Sequence, residues 1–191
     1  MNHELSLRIC QKLIDRGIIK EDLKQVYTYG IELLLSFIIS VSLILVIGSL
    51  MNKFIETLIF LFLFISIRQM TGGYHAKTYF RCQIVTVGTF LLVLLAAHFL
   101  HPGIILRVIL LALGGIFILL FGPIENKHKP LTPKIKAKNK KLGTVSFVLA
   151  NGLSMVLAIW KPQYADSAFF TLLSIILLMI VPLTERRIHH V

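Results

Sequence analysis

Six long apolar blocks divide the chain, and they restrict its fold more than any other feature of the sequence. Each is long enough, or nearly so, to cross the roughly 30 Å hydrocarbon core of a bilayer as a helix. Their apolar residues are continuous rather than alternating, which does not fit the strands of a membrane β-barrel. The blocks are 31–50, 54–67, 84–100, 104–121, 142–159 and 168–183. The sequence therefore predicts an all-α, polytopic membrane protein with about six transmembrane helices.

Composition and charge agree with this prediction. Hydrophobic residues make up 56% of the chain and charged residues only 15%, too few to coat a soluble domain of 191 residues. We expect one integral membrane domain over 1–191, with a bundle at 29–183 and a tail at 184–191. The net charge of +11 favours anionic lipid or an acidic partner. Nucleic acid is not expected, because the lysines lie between two apolar blocks.

The N-terminal segment 1–28 has the pattern of short amphipathic helices. Leu5, Ile9 and Leu13 recur at helical spacing, and Gly17 is a natural helix end. We expect a cytoplasmic helix resting on the lipid surface. No cleavable signal peptide is visible in this stretch.

Basic residues are distributed unevenly between the predicted connections. If the N-terminus is cytoplasmic, nearly all of the 20 lysine and arginine residues fall on the cytoplasmic side. The positive-inside rule then predicts that both termini are cytoplasmic. Glu32 and Glu56 lie near span ends, where we expect their carboxylates to reach water. Cys10 and Cys82 both fall on the cytoplasmic side, so free thiols are expected.

Reactive side chains concentrate in the stretch 68–82, between the second and third blocks. His75 can act as a general base near neutral pH, and Cys82 as a nucleophile once it is a thiolate. Lys77 and Arg81 would favour that thiolate electrostatically. Taken separately, each of the two could instead be structural, Cys82 as a small apolar residue and His75 as an interfacial aromatic.

The same stretch contains residues that could support a reaction. Gly72 and Gly73 allow a tight turn and a close approach of a substrate chain. Arg68 could orient the substrate or stabilise an oxyanion, or could simply mark the membrane edge. A residue that orients His75 is not identified, and the candidates are Gln69, Thr71 and Glu125.

The spacing of His75 and Cys82 limits this hypothesis. On a straight helix, residues seven apart share a face but lie roughly 10 Å apart along the axis. A Cys–His hydrogen bond needs about 3 Å. The segment must therefore bend, re-enter the membrane, or pair with a second subunit, and the sequence leaves these alternatives open.

The run Arg68 … Gly72-Gly73-Tyr74-His75-Ala76 … Cys82 resembles the accessory gene regulator protein B family of Gram-positive bacteria. The resemblance extends to the chain length, the basic N-terminus, the span pattern and the later stretch that begins Gly122-Pro123 and ends at Pro130. It implies a cell-membrane cysteine endopeptidase, reported as a dimer, that trims the C-terminal part of a short precursor peptide. It also implies a thioester intermediate and cyclisation to a thiolactone or lactone autoinducer for quorum sensing.

The resemblance also assigns roles within the stretch. His75 and Cys82 correspond to the catalytic residues, and Arg68 and Gly73 to functionally important positions. No cofactor and no metal are expected, since the chain has no His-Glu-x-x-His pair.

A lysine-rich loop is predicted at 127–141, between the fourth and fifth blocks. Its charge is explained by the positive-inside rule alone, but it could also dock an acidic precursor tail or anionic lipid. The lysines are Lys127, Lys129, Lys134, Lys136, Lys138, Lys140 and Lys141. The other functions open to such a chain are a peptide transporter or exporter, and a non-catalytic membrane scaffold that binds an acidic partner.

Overall fold

Each apolar block lies on its own long helix in the computed structural model, which describes residues 2–73, 79–124 and 132–188. Within these ranges, six helices are long and apolar enough to cross a membrane. The helices are α1 (Asn2–Asp15), α2 (Lys24–Leu50), α3 (Phe54–Thr71), α4 (Tyr79–Phe99), α5 (Ile104–Phe121), α6 (Pro133–Trp160) and α7 (Pro162–Ile188), with a 3-10 turn at Glu21–Leu23. The predicted all-α, polytopic fold is confirmed.

Several helices begin well before their apolar blocks. The first turns of α2, α4, α6 and α7 precede the blocks that were used to predict them, starting at Lys24, Tyr79, Pro133 and Pro162. A helix can continue beyond the membrane core because polar side chains there reach the interface. The apolar block therefore marks the part of the helix that lies in the membrane core, and not the end of the helix. The predicted loop at 127–141 is therefore wrong from Pro133 onward, and residues 125–131 lie outside the described residues.

Helix α1 packs antiparallel on the beginning of α2, so the two form a helical hairpin. Cys10 Sγ lies 3.5 Å from the Lys24 carbonyl oxygen, and Lys24 Nζ donates to Gln11 Oε1 at 2.8 Å. Further along, His3 contacts the carboxylate of Glu32. Glu32 and Glu56 are both buried, so the expectation that their carboxylates reach water is wrong. The N-terminal helix thus uses one face to cover α2, and cannot rest on lipid with that face.

Helix α7 lies at the centre of the bundle, where it packs against α3, α4, α5 and α6. Its side chains Phe169, Leu172 and Met179 are fully buried. Phe60 of α3 packs on Phe90 of α4, with ring centroids 5.1 Å apart. Because lipid is as apolar as these side chains, such close packing is the main attraction between the helices.

Glycines allow two of the closest helix contacts. A Cβ at Gly48 would lie 1.9 Å from Thr57 Oγ1. This hydroxyl donates to the Lys53 carbonyl oxygen in the turn between α2 and α3. A Cβ at Gly114 would lie 2.1 Å from Ile176 Cδ1. Small residues at such points let neighbouring backbones approach, as is common in membrane bundles.

A buried ionic cluster joins helices at the end of the bundle away from Cys82. Asp166 of α7 binds Arg107 of α5, and its second carboxylate oxygen lies 2.8 Å from His101 Nδ1. Arg107 Nε also donates to the Pro102 carbonyl oxygen at 2.9 Å. The cluster ties the turn between α4 and α5 to α7, which both helices contact.

Candidate functional site

The first part of the site is the turn at Gly72 and Gly73, where α3 ends. Gly72 has φ +71° and Gly73 has φ +136°, both in the region that favours glycine. Gly72 forms a β-bridge with Ile124, in which the Ile124 N–H donates to the Thr71 carbonyl oxygen at 2.9 Å. A Cβ on Gly72 would lie only 2.2 Å from the Ile124 carbonyl oxygen. No other residue type can occupy position 72 unless this pairing breaks.

Two further helices enclose the same turn. A Cβ on Gly73 would lie 3.3 Å from the Leu178 carbonyl oxygen of α7. On the other side, Gly143 of α6 approaches the end of α3, since its Cβ would lie 3.1 Å from Thr71 Cγ2. The Gly-Gly turn is therefore held by α6, α7 and Ile124 together, which gives a structural reason for glycine at both positions.

Arg68 and Cys82 lie on the helices that precede and follow this turn. Arg68 belongs to the last turn of α3, and its guanidinium also lies 4.9 Å from the centroid of the Phe64 ring. Cys82 belongs to the first turn of α4 and is a half-buried free cysteine. The guanidinium lies within electrostatic range of the Cys82 thiol. Cys82 thus lies at the N-terminal end of α4, close to the end of α3 that carries Arg68.

The second cysteine has a different environment. Cys10 is fully buried between α1 and α2, where its thiol points to a backbone carbonyl. Buried, apolar surroundings of this kind are typical of inert structural cysteines. Of the two free thiols, Cys82 is the one that a substrate can approach.

Other predicted site residues lie outside the described residues, in 74–78 and 125–131. They are His75, Lys77, Glu125, Lys127 and Lys129. The distance between the His75 imidazole and the Cys82 sulfur therefore stays a prediction. Among the candidates to orient His75, the Thr71 hydroxyl donates to the Ile67 carbonyl oxygen of its own helix at 3.0 Å. In the part of the chain that is described, no three His, Cys, Asp or Glu side chains are grouped to hold a metal ion.

The remaining lysines lie on the first turns of α6 and point in two directions. Lys136 and Lys140 line a cavity of about 260 Å³ beside Ile124. At 100° per residue, Lys134, Lys138 and Lys141 project from the other side of the helix. Sequence reasoning treated these lysines as one loop, and the helix separates them into two faces.

Sequence reasoning missed three residues that shape the site: Ile124, Gly143 and Leu178. Only Ile124 had a signal, because it follows Pro123 in the stretch that supports the family resemblance. Gly143 and Leu178 contribute because their backbones lie close to the turn, and the composition of α6 or α7 does not indicate this closeness.

Known proteins match most of the length of this chain. Residues 6–183 match the family described as accessory gene regulator B. A protein named AgrB-like from Clostridium perfringens (strain SM101) is 24% identical over 159 residues, covering 78% of this chain and 72% of the relative. Accessory gene regulator protein B of Staphylococcus intermedius is 28% identical over 144 residues, covering 74% and 65%. No solved structure matches the chain.

Proposed function

The chain belongs to the accessory gene regulator B family, and on that premise we propose that it is a membrane cysteine endopeptidase acting on a short precursor peptide. Family membership supports a role in accessory gene regulator quorum sensing. The observation that carries the enzymatic proposal is the half-buried free thiol of Cys82 in the first turn of α4, within electrostatic range of Arg68. The thiolate is the nucleophilic form of cysteine, and this thiol is the one that a substrate can approach.

The first step is acyl transfer to Cys82. The thiolate attacks a peptide carbonyl carbon, a C–S bond forms, and the scissile C–N bond breaks. His75, which receives the thiol proton, passes it to the departing amine. The C-terminal fragment leaves with a new free amino group, and the signal segment stays on Cys82 as a thioester. Arg68 is placed to orient the substrate or to stabilise the oxyanion during the attack.

The second step releases the product as a ring. A cysteine or serine side chain of the bound peptide attacks the thioester carbonyl, and the C–S bond to Cys82 breaks. The proton of the attacking thiol or hydroxyl passes to His75, the product is a thiolactone or a lactone, and the Cys82 thiolate is regenerated. Water would hydrolyse the thioester, so a site between packed helices and lipid favours cyclisation.

The first step needs the released C-terminal fragment to be removed, for a thermodynamic reason. A thioester has a higher free energy of hydrolysis than the amide it replaces, so acyl transfer alone is poorly driven. The reaction proceeds when the released C-terminal fragment is removed or degraded. We therefore expect the fragment to inhibit processing when it accumulates.

From the charge distribution we propose how the protein is oriented in the cell membrane. Both termini and the Cys82 end of the bundle are cytoplasmic, because most basic residues lie there. The named relatives come from Gram-positive bacteria, and we propose the same kind of cell membrane for this protein. We propose in addition that the protein works as a homodimer and that the lysine-rich segment 127–141 docks the precursor.

Reconstitution in liposomes with the precursor peptide tests the enzymatic proposal. Intact mass spectrometry should detect the signal segment as a covalent adduct on Cys82, and Cys82→Ala should abolish both adduct and cleavage. Cys10→Ser is the matched control, because it removes the other thiol and should retain the adduct. If Cys82→Ala still cleaves the precursor, the proposed nucleophile is wrong.

The rival functions give different results in the same liposomes. A transporter would move the peptide with full activity after Cys82→Ala. A scaffold would bind an acidic partner equally well after His75→Ala. Loss of cleavage in both variants, with binding retained, would support the endopeptidase alone.

A further inference from the structure

One face of α6 runs from the core of the bundle to a cavity beneath it. Phe147 and Gly143 are buried on this face, against α3 and α7. Lys140 and Lys136 follow at helical spacing on the same side, one and two turns below Gly143. The packed face of the helix thus continues into two basic side chains at the point where the core ends.

These lysines line the cavity of about 260 Å³ together with the end of α5 and the segment after it. The lining residues are Leu120, Phe121, Gly122, Pro123, Ile124, Lys136, Lys140 and Leu183. None of these described residues is acidic. The volume corresponds to about nine water molecules at roughly 30 Å³ each, enough to admit a phosphodiester group.

The cavity is basic where it borders α6 and apolar where it borders the end of α5. Leu120 and Phe121 are exposed at the end of a membrane-spanning helix, so they face lipid chains. Lys136 and Lys140 belong to the part of α6 that precedes its apolar block. This order of apolar and then basic side chains follows the order of acyl chains and headgroups in one leaflet.

A bound anion would also reduce the unfavourable electrostatic interactions among the lysines of α6. Lysines at the start of a helix oppose the helix dipole, and like charges four residues apart repel one another. The helix has no acidic residue in its first turn to offset these terms. Lys136 also interacts within the chain, but an ammonium group has three N–H donors and can share them with a ligand.

We infer that this cavity binds the headgroup of an anionic phospholipid through Lys136 and Lys140, which leaves the other lysines of the segment 127–141 to dock the precursor. A phospholipid is favoured over an acidic peptide because the apolar wall at Leu120 and Phe121 opens to the membrane, where acyl chains can occupy it. The site adjoins Ile124, whose bridge to Gly72 positions the Gly-Gly turn. A bound lipid would therefore stabilise the segment that holds the candidate active site.

The test measures phospholipid retention by native mass spectrometry on the full chain released from detergent. The probe is phosphatidylglycerol, with phosphatidylcholine as the neutral comparison, and every protein carries Cys82→Ala so that processing plays no part. Lys136→Gln with Lys140→Gln removes the two cavity charges. Lys134→Gln with Lys138→Gln removes the same charge at the same spacing from the opposite side of the helix.

We expect the cavity pair to weaken phosphatidylglycerol binding by about thirtyfold, at the usual contribution of a lysine near an anionic surface. The opposite pair should weaken it by less than about threefold. Equal losses from both pairs would indicate diffuse attraction and overturn the site. Unchanged lipid binding, with a raised KM for the precursor in the cavity pair carrying native Cys82, would assign the cavity to the peptide and leave the endopeptidase proposal standing.

Discussion

Replacing Gly72 with alanine should break the contact that positions the candidate active site. At φ +71° and ψ −153°, Gly72 occupies a region that is almost closed to residues with a side chain. The new Cβ would also lie 2.2 Å from the Ile124 carbonyl oxygen, a backbone atom that cannot rotate away. The 122–124 segment must therefore move, and the hydrogen bond from Ile124 N–H to Thr71 is lost.

The size of the effect follows from these two terms. Backbone strain at such a position costs about 1–3 kcal/mol. Loss of the hydrogen bond adds about 1 kcal/mol. Relaxation of the segment limits the sum, so we expect Gly72→Ala to lower the free energy of unfolding by about 2–4 kcal/mol. Precursor cleavage should fall as well, because the turn lies between Arg68 and Cys82.

The assay is SDS-induced unfolding in mixed micelles, followed by circular dichroism. Gly88→Ala is the matched control, since its Cβ would meet nothing within 4 Å and its backbone is helical. Because alanine is a better helix former than glycine, this control should not destabilise the protein. Equal stability and full cleavage in Gly72→Ala would refute the argument that the bridge to Ile124 organises the site.

Three other predictions use the same unfolding assay or thiol labelling. Asp166→Asn should cost about 3–5 kcal/mol, because it leaves buried Arg107 without its countercharge, and the double replacement of both by leucine should cost less. Gly48→Ala should cost about 1–3 kcal/mol by displacing Thr57, and Thr57→Ala should reduce that cost. Cys10 should react with maleimide only after α1 separates from α2, and rapid labelling of the folded protein would contradict its burial.

The membrane architecture could be predicted because its cause is local. Each apolar block must satisfy its backbone hydrogen bonds within itself when it lies in lipid, so it becomes a helix whatever its neighbours are. This reasoning located every span, and the six spanning helices confirm it. It failed at helix starts such as Pro133, where polar helices continue beyond the membrane core.

The chemical residues of the site could be predicted in part. Cys82, Arg68 and the Gly-Gly pair stand out because few stretches of so apolar a chain carry reactive or conformationally free residues. Their proximity could not be read from spacing, since Arg68 and Cys82 belong to different helices separated by a turn. The position of Lys136 and Lys140 beside the cavity could not be predicted either, because only the rotation of α6 decides which of its lysines line that cavity.

Composition and order alone determined that this chain crosses a membrane and which short stretch carries the candidate site, because both depend on properties of contiguous residues. Tertiary structure decided which distant residues meet: Gly72 with Ile124, Asp166 with Arg107, and α7 with four other helices. In lipid, helices have little hydrophobic preference for one another, so shape and a few polar contacts select the partners. Those contacts join residues far apart in the chain, so they cannot be predicted from the sequence of any single segment.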